Sequence, residues 1–281
     1  MIDLFAALTS PDHSFLRLAF LAATLASVSF GIMGTYVVTR RIGYLAGAIA
    51  HCVFGGIGFA LYLKHKVGIS WVDPIHGALA TAIVAAIIIG VVSMKAHERE
   101  DSIIGALWAV GMASGILFID LTPGYFELTS YLFGDILLIS RQDIALVALL
   151  DVVIIALVVR CHPIFQAICF DEEFATLRGI NAPFYYILLL IMTAITVVLL
   201  VRLVGVIMVI AMLTLPAATA STFSRRLPGI MGLSVILALL YNWVGLSVSY
   251  AMDLSSGAVI ISVAGISYLA ILTGRRIFQK S

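Results

Sequence analysis

Nine stretches of this chain are apolar for about 20 residues each, and that sets the rest of the reading. They fall at about 15–38, 43–63, 74–94, 102–121, 143–160, 183–201, 203–222, 228–250 and 254–274. So much apolar surface cannot be buried inside a compact water-soluble fold. Hydrophobic residues make up 62% of the 281 positions and charged residues only 11%, against roughly half and a quarter in soluble domains. The expected fold is an all-α, polytopic transmembrane helical bundle with eight or nine spans. The sixth and seventh runs meet around Arg202 and read either as two spans or as one kinked element.

With the N-terminus outside, the inner ends hold eleven Lys and Arg residues, among them Arg40, Arg41, Lys95, Arg160, Arg225 and Arg275. The outer ends hold five: Arg17, Lys64, Lys66, Arg141 and Arg202. Basic residues favour cytoplasmic loops, so the expected orientation is N-out and C-in. Residues Thr129 to Ser140 are too few to span and fit a short outer-face helix. The N-terminus has no basic n-region, so the first run reads as a retained span and not as a cleaved signal. With no internal repeat and no low-complexity linker, residues 1–281 read as a single membrane domain.

The net charge of +1 and the absence of a basic cluster give no sign of nucleic-acid binding. Cys52, Cys161 and Cys169 lack metal spacing and read as free thiols. H-E-x-x-H, G-x-S-x-G and paired intramembrane acids are all missing, which argues against an intramembrane enzyme. In Lys95 to Asp101, KAHERED, Asp101 stands where a zinc protease would have its second histidine.

The longest inner connection is expected to run from Arg160 to Pro183. Within it, Asp171 suits an N-cap, and Glu172 and Glu173 fall in the first turn, where the helix dipole favours acids. Arg178 falls in the last turn, and Gly179 suits the left-handed residue beyond it. Phe174 and Leu177 share a face. These signals predict a helix of about two turns at the membrane surface, marginal alone and so packed on something. That something is either its own membrane domain or a partner.

Four segments carry a family resemblance. They are SYLFGDILLIS from Ser130, FDEEFATLRGIN from Phe170, VGVIMVIAMLTLPAATA from Val204, and SYAMDLSSGAVI from Ser249, with Ser255 where the family has proline. Together they resemble the permease subunits of metal-ion ABC importers, the zinc, manganese and iron uptake family, over most of the chain from about Arg40. The resemblance implies a paired, typically homodimeric, permease in the bacterial cytoplasmic membrane. Its partners would be cytoplasmic ATPase subunits and an external metal-binding protein, either periplasmic or a lipoprotein. The segment Asp171, Glu172, Glu173, Phe174, Ala175, Leu177, Arg178 and Gly179 would be the coupling helix that docks on the ATPase. The transported cargo would be a divalent metal ion, with no permanently bound cofactor. Independently, none of Lys64, Lys66, Lys95 or Lys280 follows a glycine, so the chain has no phosphate-binding Walker loop and any ATP hydrolysis belongs to another chain.

His51 lies in an apolar run, about 8 residues or 12 Å from its inner end. Gly43, Gly47, His51 and Gly55 recur every four residues on one helix face, which lets a neighbour approach closely and turns His51 away from lipid. Neutral imidazole is a common ligand for Zn²⁺, Mn²⁺ and Fe²⁺. The family has G-D-A-L-S-H here; this chain reads AGAIAH, with Gly47 in place of the carboxylate. His51 is therefore either a pathway ligand or the donor of a structural bond worth ~1 kcal/mol. Asp151, also within a span, either joins His51 at one cavity to restore the charge or bonds a hydroxyl such as Thr193 or Thr196, or Asn242. His76, at the start of its span near the outer face, is expected to cap it or stand exposed to solvent, with contact to incoming metal as the alternative. Asp120, Glu127 and Asp135 make that face acidic, and Pro216 kinks its helix for gating or for packing. The competing functions are transport of chelated iron or a metallated cofactor by the same machinery, and ATP-independent secondary metal transport.

Overall fold

The computed structural model describes residues 14–95, 100–124, 132, 134 and 139–278. The short outer-face helix expected at 129–140 and the acids Glu127 and Asp135 lie outside the described residues, as does most of KAHERED.

The described residues form helices and connecting turns, with no strand among them. In chain order they are α1 (Ser14–Thr39), α2 (Gly43–Tyr62, continued by a π turn over Leu63–Val67), α3 (Pro74–Lys95), α4 (Glu100–Asp120), α5 (Arg141–Phe170), α6 (Glu172–Leu177), α7 (Ala182–Phe223), α8 (Leu227–Met252) and α9 (Ser256–Phe278). Among the described residues, eight helices are long and apolar enough to cross a membrane; Ala182–Val198 is apolar but shorter. The helical bundle expected from the sequence is the fold observed.

The two readings of the sixth and seventh runs resolve at Gly205. There φ is 78° and ψ 165°, a backbone conformation essentially reserved for glycine. The chain doubles back at this residue. On one side of it, the Tyr186 ring lies 5.3 Å from the Arg40 guanidinium, and Arg40 sits in the turn joining α1 to α2. On the other side, Thr222 at the far end of α7 bonds Arg275 near the end of α9, and Thr214 packs against the start of α2 at Gly43. Both ends of α7 therefore lie at one end of the bundle. Gly134, from the connection at the opposite end, packs on the backbone of Val204 and Gly205. Pro216, by contrast, keeps helical backbone angles, so the break falls eleven residues before it.

One boundary differs from expectation. The span read as ending near residue 160 continues to Phe170, through Pro163. The polar run Arg160-Cys161-His162-Pro163 suggests a loop. However, Cys161, Phe165, Ile168 and Cys169 are all buried, and their packing carries the helix ten residues further. Proline removes one backbone donor, a cost that a packed helix near the membrane edge absorbs.

The core is centred on α2, the most enclosed span, which packs on α3, α4 and α7. Its approach to α4 is backbone to backbone: a Cβ on Gly55 would lie 2.6 Å from the carbonyl oxygen of Gly111, and one on Gly111 would lie 2.8 Å from Cα of Cys52. The face marked by Gly47, His51 and Gly55 is thus the face turned to α4. On the other side of the bundle, α1 packs between α8, α7 and α5.

Candidate functional site

Close contact with α4 sets His51's surroundings. His51 is 8% exposed, and its ring lies over that of Trp108, with centroids 4.4 Å apart and planes 31° apart. Its Nδ1 is 2.9 Å from the carbonyl oxygen of Gly47. A carbonyl only accepts, so Nδ1 carries the proton and donates it there. The neutral ring then keeps its lone pair on Nε2, the atom available to a metal, and the Gly47 carbonyl fixes the ring's orientation. This bond is made within α2, to the carbonyl four residues back.

The place of the family's carboxylate is filled by an aromatic ring. A Cβ on Gly47 would sit 3.1 Å from Cζ3 of Trp108. Among the described residues, no three His, Cys, Asp or Glu side chains come together as a metal-holding group.

Asp151 is 5% exposed and lies on the α5 face turned to α1, where Ser29 donates its hydroxyl to Oδ1. The other oxygen, Oδ2, is buried with no hydrogen-bond partner among the described residues. The hydroxyls expected for it bond elsewhere: Thr193 donates to the Leu189 carbonyl and Thr196 to that of Met192, while Asn242 donates to Ser27 at 2.9 Å. His51 thus faces α4 and Asp151 faces α1, each with its own partner. His76 caps the start of α3, its Nδ1 accepting from the Asp73 amide at 3.1 Å.

The surface helix has the predicted caps. Asp171 accepts from the Phe174 amide at 2.9 Å, and Gly179 adopts a φ of 81°. Ala175 is fully buried and seats α6 on the bundle, while Phe174 is half exposed and Leu177 is 87% exposed. Arg178 stacks over the Phe174 ring at 4.9 Å. Glu172 pairs with Arg40, and Glu173 is exposed. A cleft of about 880 Å³ opens beside α6, lined by Arg40, Ser93, Met94, Leu177 and Tyr186 among others.

Residues 12–275 match the model of the ABC 3 transport family. The chain belongs to that family. It is a multi-pass subunit of the bacterial cytoplasmic membrane, and ATP hydrolysis falls to a separate subunit. A Chlamydia trachomatis protein named "Probable metal transport system membrane protein" is 41% identical over 262 residues, covering 93% of this chain and 89% of that protein. The manganese transport system membrane protein MntC of Listeria monocytogenes is 30% identical over 257 residues, covering 92% and 89%. Among solved structures, PsaBC from Streptococcus pneumoniae in complex with Fab superposes with a TM-score of 0.81 at 27% identity, covering 92% of this chain and 91% of that one.

Sequence reasoning singled out His51, Asp151 and the α6 segment, and missed Trp108, Ser29 and Gly205 as their structural partners or pivots. The glycine at 205, three residues after Arg202 in an otherwise apolar stretch, was the one available signal.

Proposed function

We propose that this chain is the permease of an ATP-driven importer for a divalent transition metal: zinc, manganese or iron. The observation that carries the reading is α6, a capped helix seated through Ala175 that turns Phe174 and Leu177 outward at the end of the bundle where α2 begins. The names of the Chlamydia and Listeria relatives support a metal cargo. Two cytoplasmic ATPases dock on Phe174 and Leu177 of two permease copies, and an external metal-binding protein delivers the ion. Closure of the ATPases on ATP moves α6 and rocks the spans between outward-open and inward-open forms. His51, through Nε2, and Asp151, through Oδ2, are the polar stations along the path. Gly205 supplies the bend and Pro216 the softer helix below it. A passing ion needs few ligands, since a conduit must also release its cargo.

The filling of the Gly47 position by Trp108 favours a second reading, in which the cargo is chelated iron or a metallated cofactor and carries its own ligands. The test is metal-resolved uptake into vesicles reconstituted with the ATPase and binding protein. Wild type should accumulate one of the three ions only with ATP, and His51→Ala and Asp151→Asn should each accumulate less. Undiminished uptake by both variants removes the path assignment, and uptake without the ATPase replaces the reading with secondary transport.

A further inference from the structure

The guanidinium of Arg40 is where four segments meet. One nitrogen pairs with the Glu172 carboxylate in the first turn of α6. Another donates to the Ile168 carbonyl near the end of α5, at 2.9 Å. The plane lies over the Tyr186 ring near the start of α7, and the Tyr186 hydroxyl is 3.2 Å from Ser93 Oγ near the end of α3. Lysine, a point charge, could not make these contacts together.

The backbone that carries Arg40 is stiff. The turn between α1 and α2 has only three residues outside the helices, and Arg41, within it, adopts a φ of 60°, unusual for a residue with a side chain. Its amides are tied: Arg40 donates to the Tyr36 carbonyl, Arg41 to that of Val38, and Ile42 to that of Val37. α6 is joined to the bundle by its flanking backbone, which leads to α5 and α7. The Arg40 side chain adds a direct contact from α6 to the turn between α1 and α2.

We propose that Arg40 is the positioning residue that carries displacement of α6 into α2 and so to His51, eleven residues further along the chain. The proposal rests on the reading of α6 as the segment on which the ATPase acts. A push on α6 moves Glu172. The part-buried ion pair moves Arg40, and the stiff turn rotates the first turn of α2 against α4. Arg40 touches no cargo. Its effect is on the ratio of metal moved to ATP spent.

The test uses the reconstituted complex of permease, ATPase and binding protein, with a reporter thiol at Thr176→Cys, an exposed position of α6 beside the apolar pair. The native Cys52, Cys161 and Cys169 are buried, so the reporter reacts selectively. Cross-linking from position 176 to the ATPase checks the α6 reading alone. In Arg40→Gln the cross-link should form as in wild type, while metal transported per ATP falls roughly tenfold, within the usual range of coupling energies. Exchanging the charges, Arg40→Glu with Glu172→Arg, should recover part of that ratio. No cross-link in wild type means that α6 is not the docking segment. A normal cross-link with an unchanged ratio in Arg40→Gln overturns the Arg40 assignment. Loss of both cross-link and uptake overturns it too, since Arg40 then only holds α6 in place.

Discussion

Trp108 covers His51 with its indole and fills the space above Gly47. The two contacts bind one helix pair together and exclude a carboxylate from the position four residues before the histidine. Gly47→Asp alone should therefore overpack the α2–α4 contact, costing about 1–3 kcal/mol and lowering the melting temperature in detergent. Combining it with Trp108→Leu should return much of that loss and place an acid and an imidazole on one helix face. Calorimetry with Mn²⁺ or Zn²⁺ should then detect tighter binding by the double variant than by wild type. Equal affinities would show that the indole is not what keeps a stronger site from forming.

The fold-back of α7 depends on one residue. Gly205→Ala forces a Cβ into a backbone conformation that side chains avoid, at on the order of 1–3 kcal/mol, and it does so where Gly134 packs closely. The thermal midpoint should fall. Pro216→Ala restores a backbone donor inside a helix whose angles are already regular, so its midpoint should not fall. The reverse ranking would place the structural pivot at the proline.

Two substitutions in α6 should separate stability from association. Leu177 is 87% exposed, so Leu177→Ala should leave unfolding unchanged yet weaken co-purification of the ATPase. Asp171→Ala removes the N-cap that accepts from Phe174, at about 1 kcal/mol of local helix stability. It should weaken both co-purification and the hydrogen-exchange protection of 172–177. If neither variant alters association, the exposed apolar pair is not the ATPase contact.

How much of this was legible in the sequence follows from how local each feature is. The caps of α6 involve residues three to five apart, and both Asp171 and Gly179 read correctly from residue type. The buried face of α2 was legible because four small or polar residues repeat at helical spacing. Contacts between distant segments were not legible. Asp151 meets Ser29 across 122 positions and Arg40 meets Glu172 across 132. A span that is apolar on every side does not say which way it is turned, so neither partner could be chosen from the sequence. The end of α5 was misjudged for the related reason that burial of Phe165 and Ile168 overrode a polar run and a proline.

Because the chain reverses at Gly205, the segments around Gly179 and Ser224 emerge on the same side of the bilayer, and the Gly68 turn emerges on the other. In sealed vesicles, a protease added from one side would reach the first two cleavage points together and never the third. Sidedness of the whole molecule can thus be read from which fragments appear before detergent is added.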